Sequence, residues 1–391
     1  MSWRDFTIEA VDVWLFRDGR PFSAGSDVWA RSLPMPSPFT LLGALRTFFL
    51  TQKGISPRDF YEGKVEDQKL KEQWGGPGAH PGQLRLRGAF WYKGGHIYFS
   101  APADLVRVQG KLQLLQPLRQ DSNRLQVKLN FPLDELSCLW AKSSKPVEPV
   151  SGYISDKDLR SYLGRGNQSD SSDSEGELEN ISLLPLQEFL EKERRTGIKI
   201  GAGRSVEEGF LYHTEFIRLK EGVRLCGSAY LPNGIERAEG ILFLGGERRM
   251  GVLRWETPSH SLEELLESFK NKPATTQERV KIVLLSPAYF SEGWKPKSWS
   301  DIGLNGWTLV AAAVPRLVPI GMFEKKGDRI GQKRFYCVPP GSVYFFERKQ
   351  GSAEFPPAFT QEPPTREGED SRLPLGQLGF GLYATSTWNY A

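Results

Sequence analysis

The first residues of the chain alternate between apolar and polar side chains, and β-branched and aromatic residues are prominent among them. This pattern predicts an opening strand over residues 5–16 (DFTIEAVDVWLF), with Phe6, Ile8 and Ala10 on one face. Residues 17–22 have the composition of a turn. The chain is therefore expected to begin with a strand that a turn follows.

An amphipathic helix is predicted directly after the proline-rich stretch 34–38. Ser37 is a good N-cap, and Pro38 suits the first helical position because its missing N–H would be unpaired there in any case. The apolar face of this helix is formed by Leu41, Leu42, Leu45, Phe48 and Phe49. Arg46 is expected to lie off that face.

Turn residues and composition define the rest of the first half. Two short strands at 84–92 and 95–100 meet at Gly94-Gly95, which predicts a hairpin. Residues 165–180 contain five acidic residues and four serines, and such a segment buries too little surface to offset the entropy of ordering. We therefore expect a mobile loop there. The other predicted elements are a short helix over 184–194 and a strand over 210–219.

A second half begins near residue 221. Ser261 and Glu264 form a capping-box pattern ahead of apolar residues at helical spacing, which predicts a helix over 261–271. Residues 349–373, rich in Pro, Glu and Gly, predict a polar loop before the Gly-rich segment 375–381. Strands are predicted at 222–231, 241–245, 250–256, 279–286, 307–314, 333–338 and 342–347, and at the end of the chain.

Both halves share one order of elements: a strand, one amphipathic helix, and further strands with long insertions. This order favours an α+β fold made of two tandem ferredoxin-like units. The predicted domains are residues 1–220, which include the acidic loop 165–180, and residues 221–391, which include the polar loop and the Gly-rich segment.

Composition and charge narrow the class of protein. The 391 residues include 51 Lys and Arg and 47 Asp and Glu, so the net charge is +4 and any charge that binds nucleic acid must be local. Three widely separated cysteines argue against a zinc cluster or a disulfide framework and favour a reducing compartment. No signal-peptide pattern opens the chain, and prolines interrupt its most apolar stretch, 307–323. We therefore expect a soluble, cytoplasmic protein.

Motifs for nucleotide and metal chemistry are missing or incomplete. GxxxxGK[ST] does not occur, and the Gly-rich segment 376–381 precedes a strand, whereas a dinucleotide site needs glycines that open a helix. The turn 245–249 (GGERR) has one carboxylate and two arginines, which would repel metal ions and attract phosphate. A tight turn with solvated charges is the alternative. No cofactor and no metal are expected.

Four histidines offer little material for acid–base catalysis. His213 is well placed, on a predicted strand after a basic segment, where it could move protons at a 2′-hydroxyl together with Tyr212. A lone histidine on a strand is more commonly a packing or surface residue. A metal-independent ribonuclease is therefore one interpretation of this segment.

The segment 192–212 (KERRTGIKIGAGRSVEEGFLY) has the strongest potential for nucleic-acid contact. Its arginines would form bidentate phosphate contacts, its glycines would let the backbone approach a phosphodiester chain, and its aromatic residues would stack on unpaired bases. The basic residues that precede Val206 are Lys192, Arg194, Arg195, Lys199 and Arg204. A flexible charged loop is the alternative interpretation.

Five segments together resemble one known family, and they occur in the same order. They are residues 14–22 (WLFRDGRPF), 36–46 (PSPFTLLGALR), 195–212 with its RTGI and EEGFLY motifs, 244–247 (LGGE) and 378–382 (LGFGL). The chain is similar to the third subunit of the Cmr complex, a RAMP protein of type III-B CRISPR effectors. The resemblance spans both halves, and its first two motifs are fairly specific.

This resemblance implies two tandem RRM-related, ferredoxin-like domains and a non-catalytic role in antiviral defence. It implies a subunit that grips the repeat-derived 5′ handle of the guide (CRISPR) RNA. The implied protein partners are the large polymerase/cyclase-like subunit and the backbone RAMP subunits, with target RNA contacted only indirectly and no membrane. A thumb-like hairpin would wedge between guide and target, and residues 84–101 and 192–209 are the two candidates for it.

We expect Arg195, Lys199 and Arg204 to contact backbone phosphates. The further candidates for RNA binding are Arg17, Arg20, Arg46, Arg248, Arg249, Gly376, Gly379 and Gly381. Each arginine could equally be a solvated charge or part of an interface ion pair, and the glycines could simply close a loop. The alternative to this binding role is a RAMP-type, metal-independent endoribonuclease that processes repeat RNA. A protein-bridging scaffold that does not contact RNA is the third hypothesis.

Overall fold

A computed structural model of the protein shows a strand-rich α+β fold. The described residues are 3–19, 29–75, 80–119, 136–141, 143–164, 178, 180–200, 206–232, 239–270, 278–326, 329–348, 354–364 and 372–391. The helices are α1 (Pro38–Gln52), α2 (Pro57–Tyr61), α3 (Gln68–Trp74), α4 (Asp156–Gly164) and α5 (Leu262–Ser268). None of these helices is long and apolar enough to cross a membrane.

The strands of the described residues form several sheets. In chain order they are β1 (Trp3–Ala10), β2 (Val13–Trp14), β3 (Trp29–Ala30), β4 (Arg85–Lys93), β5 (His96–Ser100), β6 (Leu105–Val108), β7 (Lys111–Leu114), β8 (Gln116–Pro117), β9 (Leu139–Trp140), β10 (Glu148–Pro149), β11 (Tyr153–Ser155), β12 (Leu183–Leu184), β13 (Leu190–Ile200), β14 (Val206–Leu219), β15 (Arg224–Tyr230), β16 (Gly240–Phe243), β17 (Met250–Arg254), β18 (Arg279–Leu284), β19 (Ala288–Tyr289), β20 (Trp307–Ala313), β21 (Val318–Lys326), β22 (Arg329–Val338), β23 (Val343–Arg348) and β24 (Tyr383–Thr387).

The largest sheet has eight strands in the order β12-β11-β5-β4-β15-β1-β17-β16, and its pairings are all antiparallel. Helix α1 packs on one face of this sheet, where Leu41 and Leu45 share a core with Phe6 and Ile8 of β1. The helix begins as predicted, because the Ser37 hydroxyl accepts a hydrogen bond from the backbone N–H of Thr40 at 3.2 Å.

A second, four-stranded antiparallel sheet has the order β20-β23-β18-β24. Apolar residues of this sheet share one core with the other face of the eight-stranded sheet and with helices α4 and α5. This core contains Phe345 of the second sheet, Phe99 of the eight-stranded sheet, Leu159 of α4 and Leu265 of α5. Helices α4 and α5 therefore pack in the core that the two sheets share.

A buried polar triad crosses this shared core. Lys281 Nζ of β18 lies 2.9 Å from Asp104 Oδ2, with 4% and 0% of the two side chains exposed. The Tyr162 hydroxyl of α4 donates to Asp104 Oδ1 at 2.6 Å. Burial, and then the Asp104 carboxylate, raise the pKa of Tyr162, so its hydroxyl remains a donor. The triad ties α4 to the second sheet.

The remaining strands form smaller sheets. Strands β13 and β14 make a long hairpin, and β14 also pairs with β2 and β3. Strands β21 and β22 make a second long hairpin, with β19 beside β22. Two further sheets have the orders β10-β6-β7 and β8-β9.

Many local predictions are confirmed. The opening strand is present, although it breaks at residues 11–12 into β1 and β2, and α1 and the Gly94-Gly95 hairpin lie where expected. The other confirmed elements are the strands near 210–219, 222–231, 241–245, 250–256, 279–286, 307–314, 333–338 and 342–347, the helix near 261–271 and the final strand.

The helix predicted over 184–194 is wrong. A 3₁₀ turn covers only Leu186–Glu188, and strand β13 begins at Leu190. The charged run 191–196 has a period of two, because its side chains alternate between the two faces of the hairpin. Helix α4 and strand β21 were not predicted.

The mixed α+β class is confirmed, but the tandem ferredoxin-like arrangement is not. Every strand pairing in the two main sheets is antiparallel, as it also is in the split βαβ sheet of a ferredoxin-like unit, so the direction of pairing does not establish two such units. The eight-stranded sheet also contains strands from both sides of residue 220. Strand β15 lies between β1 and β4, and its residues 225–229 are therefore buried on both faces, as in a central strand. The predicted division into 1–220 and 221–391 therefore does not separate the strands of this sheet.

The two predicted loops are described only in part. Of the acidic loop 165–180, only Leu178 and Asn180 belong to the described residues. Of the polar loop 349–373, residues 354–364 and 372–373 are described, and within them Phe359 is fully buried in the core of the second sheet.

Candidate nucleic-acid interface

The hairpin of β13 and β14 carries most of the basic segment that the sequence indicates. Its strands pair from Leu190–Leu219 to Gly197–Tyr212, with a register shift between Ile198 and Ile200. Residues directly opposite each other in an antiparallel pair lie on the same face. The hairpin therefore has two faces of different chemistry.

One face, here the charged face, holds three arginines and three carboxylates. They are Arg195, Arg218 and Arg249 with Asp12, Glu193 and Glu247. Arg195 Nε donates to Glu193 Oε1 at 2.7 Å, and Arg218 Nη2 donates to Glu193 Oε2 at 2.7 Å. Asp12 Oδ1 lies 3.0 Å from Arg218 Nη2. These charges balance, so the charged face alone provides no net attraction for phosphate.

Phe216 lies beneath two of these arginines and is 2% exposed. The guanidinium carbons of Arg195 and Arg249 lie 4.8 Å and 4.6 Å from its ring centroid. The Arg218 and Arg195 hydrogen bonds lower the pKa of Glu193, so this carboxylate stays charged in mild acid. The ring and the carboxylate together hold the arginines in a fixed arrangement.

The opposite face, here the aromatic face, holds Trp29, Lys192, Arg194, Thr196, His213 and Glu215. The guanidinium carbon of Arg194 lies 5.1 Å from the Trp29 ring, and the ring centroids of Trp29 and His213 are 5.3 Å apart. Thr196 Oγ1 and His213 Nδ1 are 3.0 Å apart. Trp29 is 37% exposed. An exposed ring beside a guanidinium is a surface on which an unpaired base can stack.

The aromatic face has one more cation than the carboxylates on it neutralise. Lys192 Nζ lies 2.9 Å from the buried Glu215 carboxylate, while Arg194 extends over the tryptophan. With the charged face balanced, Arg194 is better placed for phosphate than Arg195. Sequence reasoning noted Arg194 in the basic segment but did not choose it, and it missed Trp29, which lies more than 160 residues earlier in the chain.

Tyr212 and His213 lie on opposite faces, because successive residues of a strand point in opposite directions. Tyr212 covers Gly197 on the charged face, where an added Cβ at Gly197 would lie 2.1 Å from the tyrosine ring. His213 packs against Trp29. The two side chains therefore do not form the proton-transfer pair that the ribonuclease alternative needs.

The first of the two thumb candidates belongs to the sheet interior. Strand β4 is paired on both sides, with β15 and β5, and β5 is paired with β4 and β11. The hairpin of β13 and β14 belongs to a separate, smaller sheet. The segment 192–209 is therefore the better candidate for a thumb.

Arg46 does not lie off the buried face of α1, as predicted, but is 1% exposed. Its Nη2 donates to the backbone carbonyl of His80 at 2.5 Å, and its guanidinium carbon lies 6.0 Å from the Phe60 ring. Burial lowers its pKa. Arg46 is a core residue and is left out of the proposed interface.

The glycines of the C-terminal segment approach protein backbone. Gly379 has φ +88°, and a Cβ there would lie 3.0 Å from the Leu86 carbonyl oxygen. Gly381 has φ +65°, and a Cβ there would lie 2.7 Å from the Phe359 carbonyl carbon. At Gly376 a Cβ would lie 2.8 Å from Ala358 Cβ. The close approach that these glycines allow is internal, which favours the alternative that they close a loop.

The other candidate residues are spread over the structure. Arg17 is exposed and forms an isolated β-bridge with Ser32. Arg248 is exposed on the turn after β16. Arg20 and Arg204 lie outside the described residues, as does the side chain of Lys199. Among the described residues, no group of three or more His, Cys, Asp or Glu is arranged to hold a metal ion.

The structure is that of a strand-rich α+β protein with a local basic and aromatic surface on one hairpin. Comparison of the chain with known protein families identifies its family. The family described as "CRISPR-associated protein (Cas_Cmr3)" matches residues 6–388, almost the whole chain. The chain belongs to this family. No curated protein matches the sequence.

Solved structures of CRISPR complexes contain similar chains. One is a chain of the Type III-B Cmr-beta bound to cognate target RNA, with 16% identity, a TM-score of 0.43, and 88% of this chain and 86% of that chain covered. Another belongs to the Csm3-Csm4 subcomplex of the type III-A interference complex, with 12% identity, a TM-score of 0.36, and 88% and 94% covered. Family membership rests on the family match and not on these distant similarities.

Proposed function

We propose that this chain is a non-catalytic, RNA-binding subunit of a cytoplasmic type III-B CRISPR effector, and that it grips the 5′ handle of the guide RNA. The observation that carries the proposal is the aromatic face of the hairpin, where partly exposed Trp29 contacts both Arg194 and His213. A base stacks on the tryptophan while Arg194 contacts an adjacent phosphate. The hairpin acts as the thumb that separates guide from target.

The charged face has a positioning role in this proposal. Arg195, Arg218 and Arg249 each have several N–H donors, and the carboxylates occupy only part of them. RNA that follows the edge of the hairpin meets arginines whose geometry is already set by Glu193 and Phe216. This preorganisation reduces the entropy that phosphate binding would otherwise cost.

An exposed apolar strip supports contacts with other subunits. Ile241, Phe243 and Met250 are 60%, 50% and 40% exposed at the β16 edge of the large sheet. Phe243 is directly opposite Met250, so the two share a face. Clustered exposed apolar side chains favour a protein partner over RNA. We propose that the large polymerase/cyclase-like subunit or a backbone RAMP subunit covers this strip.

The absence of catalysis is also part of the proposal. Tyr212 and His213 lie on opposite faces of the hairpin, which supports this part of the proposal because the two side chains do not meet as an acid–base pair. His213 has a packing role against Trp29 and Thr196. Cleavage of the target is left to another subunit.

The test uses the chain in its complex with the large subunit and end-labelled RNA with an intact or scrambled 5′ handle, in EDTA and in magnesium. We expect handle-dependent retardation of intact RNA. Trp29→Ala combined with Arg194→Gln should weaken it about tenfold or more, as expected for one lost stack. Arg58→Gln, on exposed α2, is the matched control and should bind as the parent does.

Three results would contradict the proposal. Retardation that is the same for the scrambled handle would remove handle recognition. Full binding by the double variant would remove the aromatic face. Specific cutting that persists in EDTA and disappears in His213→Ala would make the chain a processing nuclease.

A further inference from the structure

A cavity of about 370 Å³ opens at a place that the hairpin does not reach. It lies between the turn that joins β4 to β5, the first turns of α4 and the residue that precedes the cap of α5. The lining residues are Gly95, His96, Asp156, Lys157, Arg160 and His260. None of them belongs to β13 or β14, and the RNA-binding proposal does not use any of them.

The orientation of His96 is fixed by a buried carboxylate. His96 Nδ1 lies 2.8 Å from Asp156 Oδ1, with 45% and 8% of the two side chains exposed. Asp156 itself is held in the first turn of α4, which is capped by the hydrogen bond from the Asp158 N–H to the Ser155 hydroxyl at 3.1 Å. Because Nδ1 is engaged, Nε2 is the ring nitrogen that remains for a ligand.

The charges of the cavity favour an anion. Lys157 and Arg160 are one helical turn apart on α4, and the carboxylate that faces them is already bound to His96. Arg160 is held with its guanidinium carbon 5.4 Å from the Phe269 ring. Lys93, the register partner of His96, is occupied by Glu188 at 2.9 Å. The lining therefore combines two cations, two histidines and one carboxylate that is hydrogen-bonded to His96.

The same groups do not suit a metal ion. Two histidines and an aspartate line the cavity, but within the described part of the chain no three such side chains are placed to hold a metal. Cationic side chains beside histidines are instead the donors that recognise oxyanions. Gly95, with φ +85° and no atom close to its Cβ position, leaves room for a ligand at the rim.

We infer that this cavity binds a phosphate group. Arg160 and Lys157 supply charged donors, and His260 donates a ring N–H to a phosphate oxygen. His96 donates Nε2–H to the phosphate in its imidazolium form, while its Nδ1–H stays hydrogen-bonded to Asp156. The phosphate comes either from a free phosphate monoester or from an RNA diester. The inference is independent of the proposed role of the hairpin.

The experiment follows the four histidine ring resonances of the 391-residue chain by NMR. Inorganic phosphate is added against chloride at equal ionic strength. We expect saturable shifts at His96 and His260, with His80 and His213 unchanged. The double variant Lys157→Gln and Arg160→Gln should bind phosphate about tenfold or more weakly, because two charged hydrogen bonds are lost. Lys69→Gln, on exposed α3, should bind as the parent does.

Two further titrations separate the sources of the phosphate. A nucleoside monophosphate that shifts both histidines, when unphosphorylated single-stranded RNA does not, assigns a free monoester. Shifts from both ligands assign the RNA backbone. The inference is overturned if phosphate causes no saturable shift, or if the folded double variant, shown by unchanged His80 and His213 resonances, binds phosphate as tightly as the parent.

Discussion

At the residue scale, the charged face shows how one carboxylate can position two arginines that we propose contact RNA. Glu193 accepts hydrogen bonds from both Arg195 and Arg218. It therefore neutralises part of their charge and also fixes their positions. These two effects act in opposite directions on RNA affinity, and exposed ion pairs of this kind add little to the stability of the fold.

Glu193→Gln separates the two effects. The glutamine keeps an acceptor for the arginines but removes one negative charge, so we expect RNA to bind several-fold more tightly. The slope of log K against log salt should become steeper by about 0.7 for each additional phosphate that the arginines neutralise. The measurement is RNA affinity over a series of salt concentrations. Glu62→Gln, off the hairpin at the C-terminal end of α2 and paired with Arg58 and Lys64, is the control. Weaker binding by Glu193→Gln would show that positioning dominates.

The buried triad of Asp104, Tyr162 and Lys281 gives a second prediction at this scale. Asp104→Ala leaves an ammonium group buried without its partner, which should lower the free energy of unfolding by about 3–5 kcal/mol. The double variant Asp104→Ala and Lys281→Met should recover part of that loss, because no unpaired charge remains. Urea unfolding measures both variants. Equal stability of the single and double variants would contradict this account of the triad.

At the element scale, the N-terminus of α5 is capped by a residue far away in the chain. The sequence predicts a capping box of Ser261 and Glu264, and Ser261 is at the N-cap, but its side chain makes no capping hydrogen bond. Asp5 Oδ2 instead accepts from the backbone N–H of Leu262 at 3.2 Å. Strand β1 therefore stabilises the start of a helix that lies 257 positions later.

Asp5→Ala should destabilise the protein by about 1 kcal/mol, as expected for a lost cap, whereas Ser261→Ala should have little effect. Thermal or urea unfolding of the two variants measures the difference. The result would contradict the structure if Ser261→Ala were the more damaging change. The two substitutions are matched controls for each other, because they act on the same helix end.

The carboxyl group of Asp5 also gives a pH dependence. Burial raises its pKa above the ordinary value of 3.8. At a pH between the ordinary pKa and the raised pKa of the folded state, the folded protein keeps a proton that the unfolded chain has released. The contribution of this group to stability therefore falls as the pH rises through this range. Asp5→Asn removes the titration. We therefore expect the free energies of unfolding of the parent and of Asp5→Asn, measured in urea, to diverge as the pH rises through this range. Parallel curves of unfolding free energy against pH would contradict the raised pKa of Asp5.

At the scale of the whole molecule, the elements that the sequence predicts correctly are those fixed by residues close to them in the chain. The Ser37 cap and the Gly94-Gly95 turn fix α1 and the first hairpin locally, and both are present. The position of β15 between β1 and β4 depends on pairing across more than 100 residues, which periodicity does not encode.

The site was predictable to a similar extent. Its basic segment is visible in the sequence, but its working surface needs Trp29 from β3 and Asp12 from the break between β1 and β2. Arg46 shows the opposite error, since a charged residue was taken as a surface residue although it lies in the core. Only the fold shows which arginines are balanced by carboxylates and which extend over an aromatic ring.

The last prediction concerns assembly, and it depends on the proposed role as a subunit. The strip of Ile241, Phe243 and Met250 is at an edge of the large sheet, where a partner can cover apolar area that water otherwise contacts. Ile241→Asp with Phe243→Asp should weaken binding to the partner subunits about tenfold or more, because each change would bury a charge at the interface. Size-exclusion chromatography of the reconstituted complex measures the loss. Val147→Asp, at another exposed apolar residue, is the control, and RNA binding by the isolated chain should be unchanged. Normal assembly of the double variant would place the protein contacts on another surface.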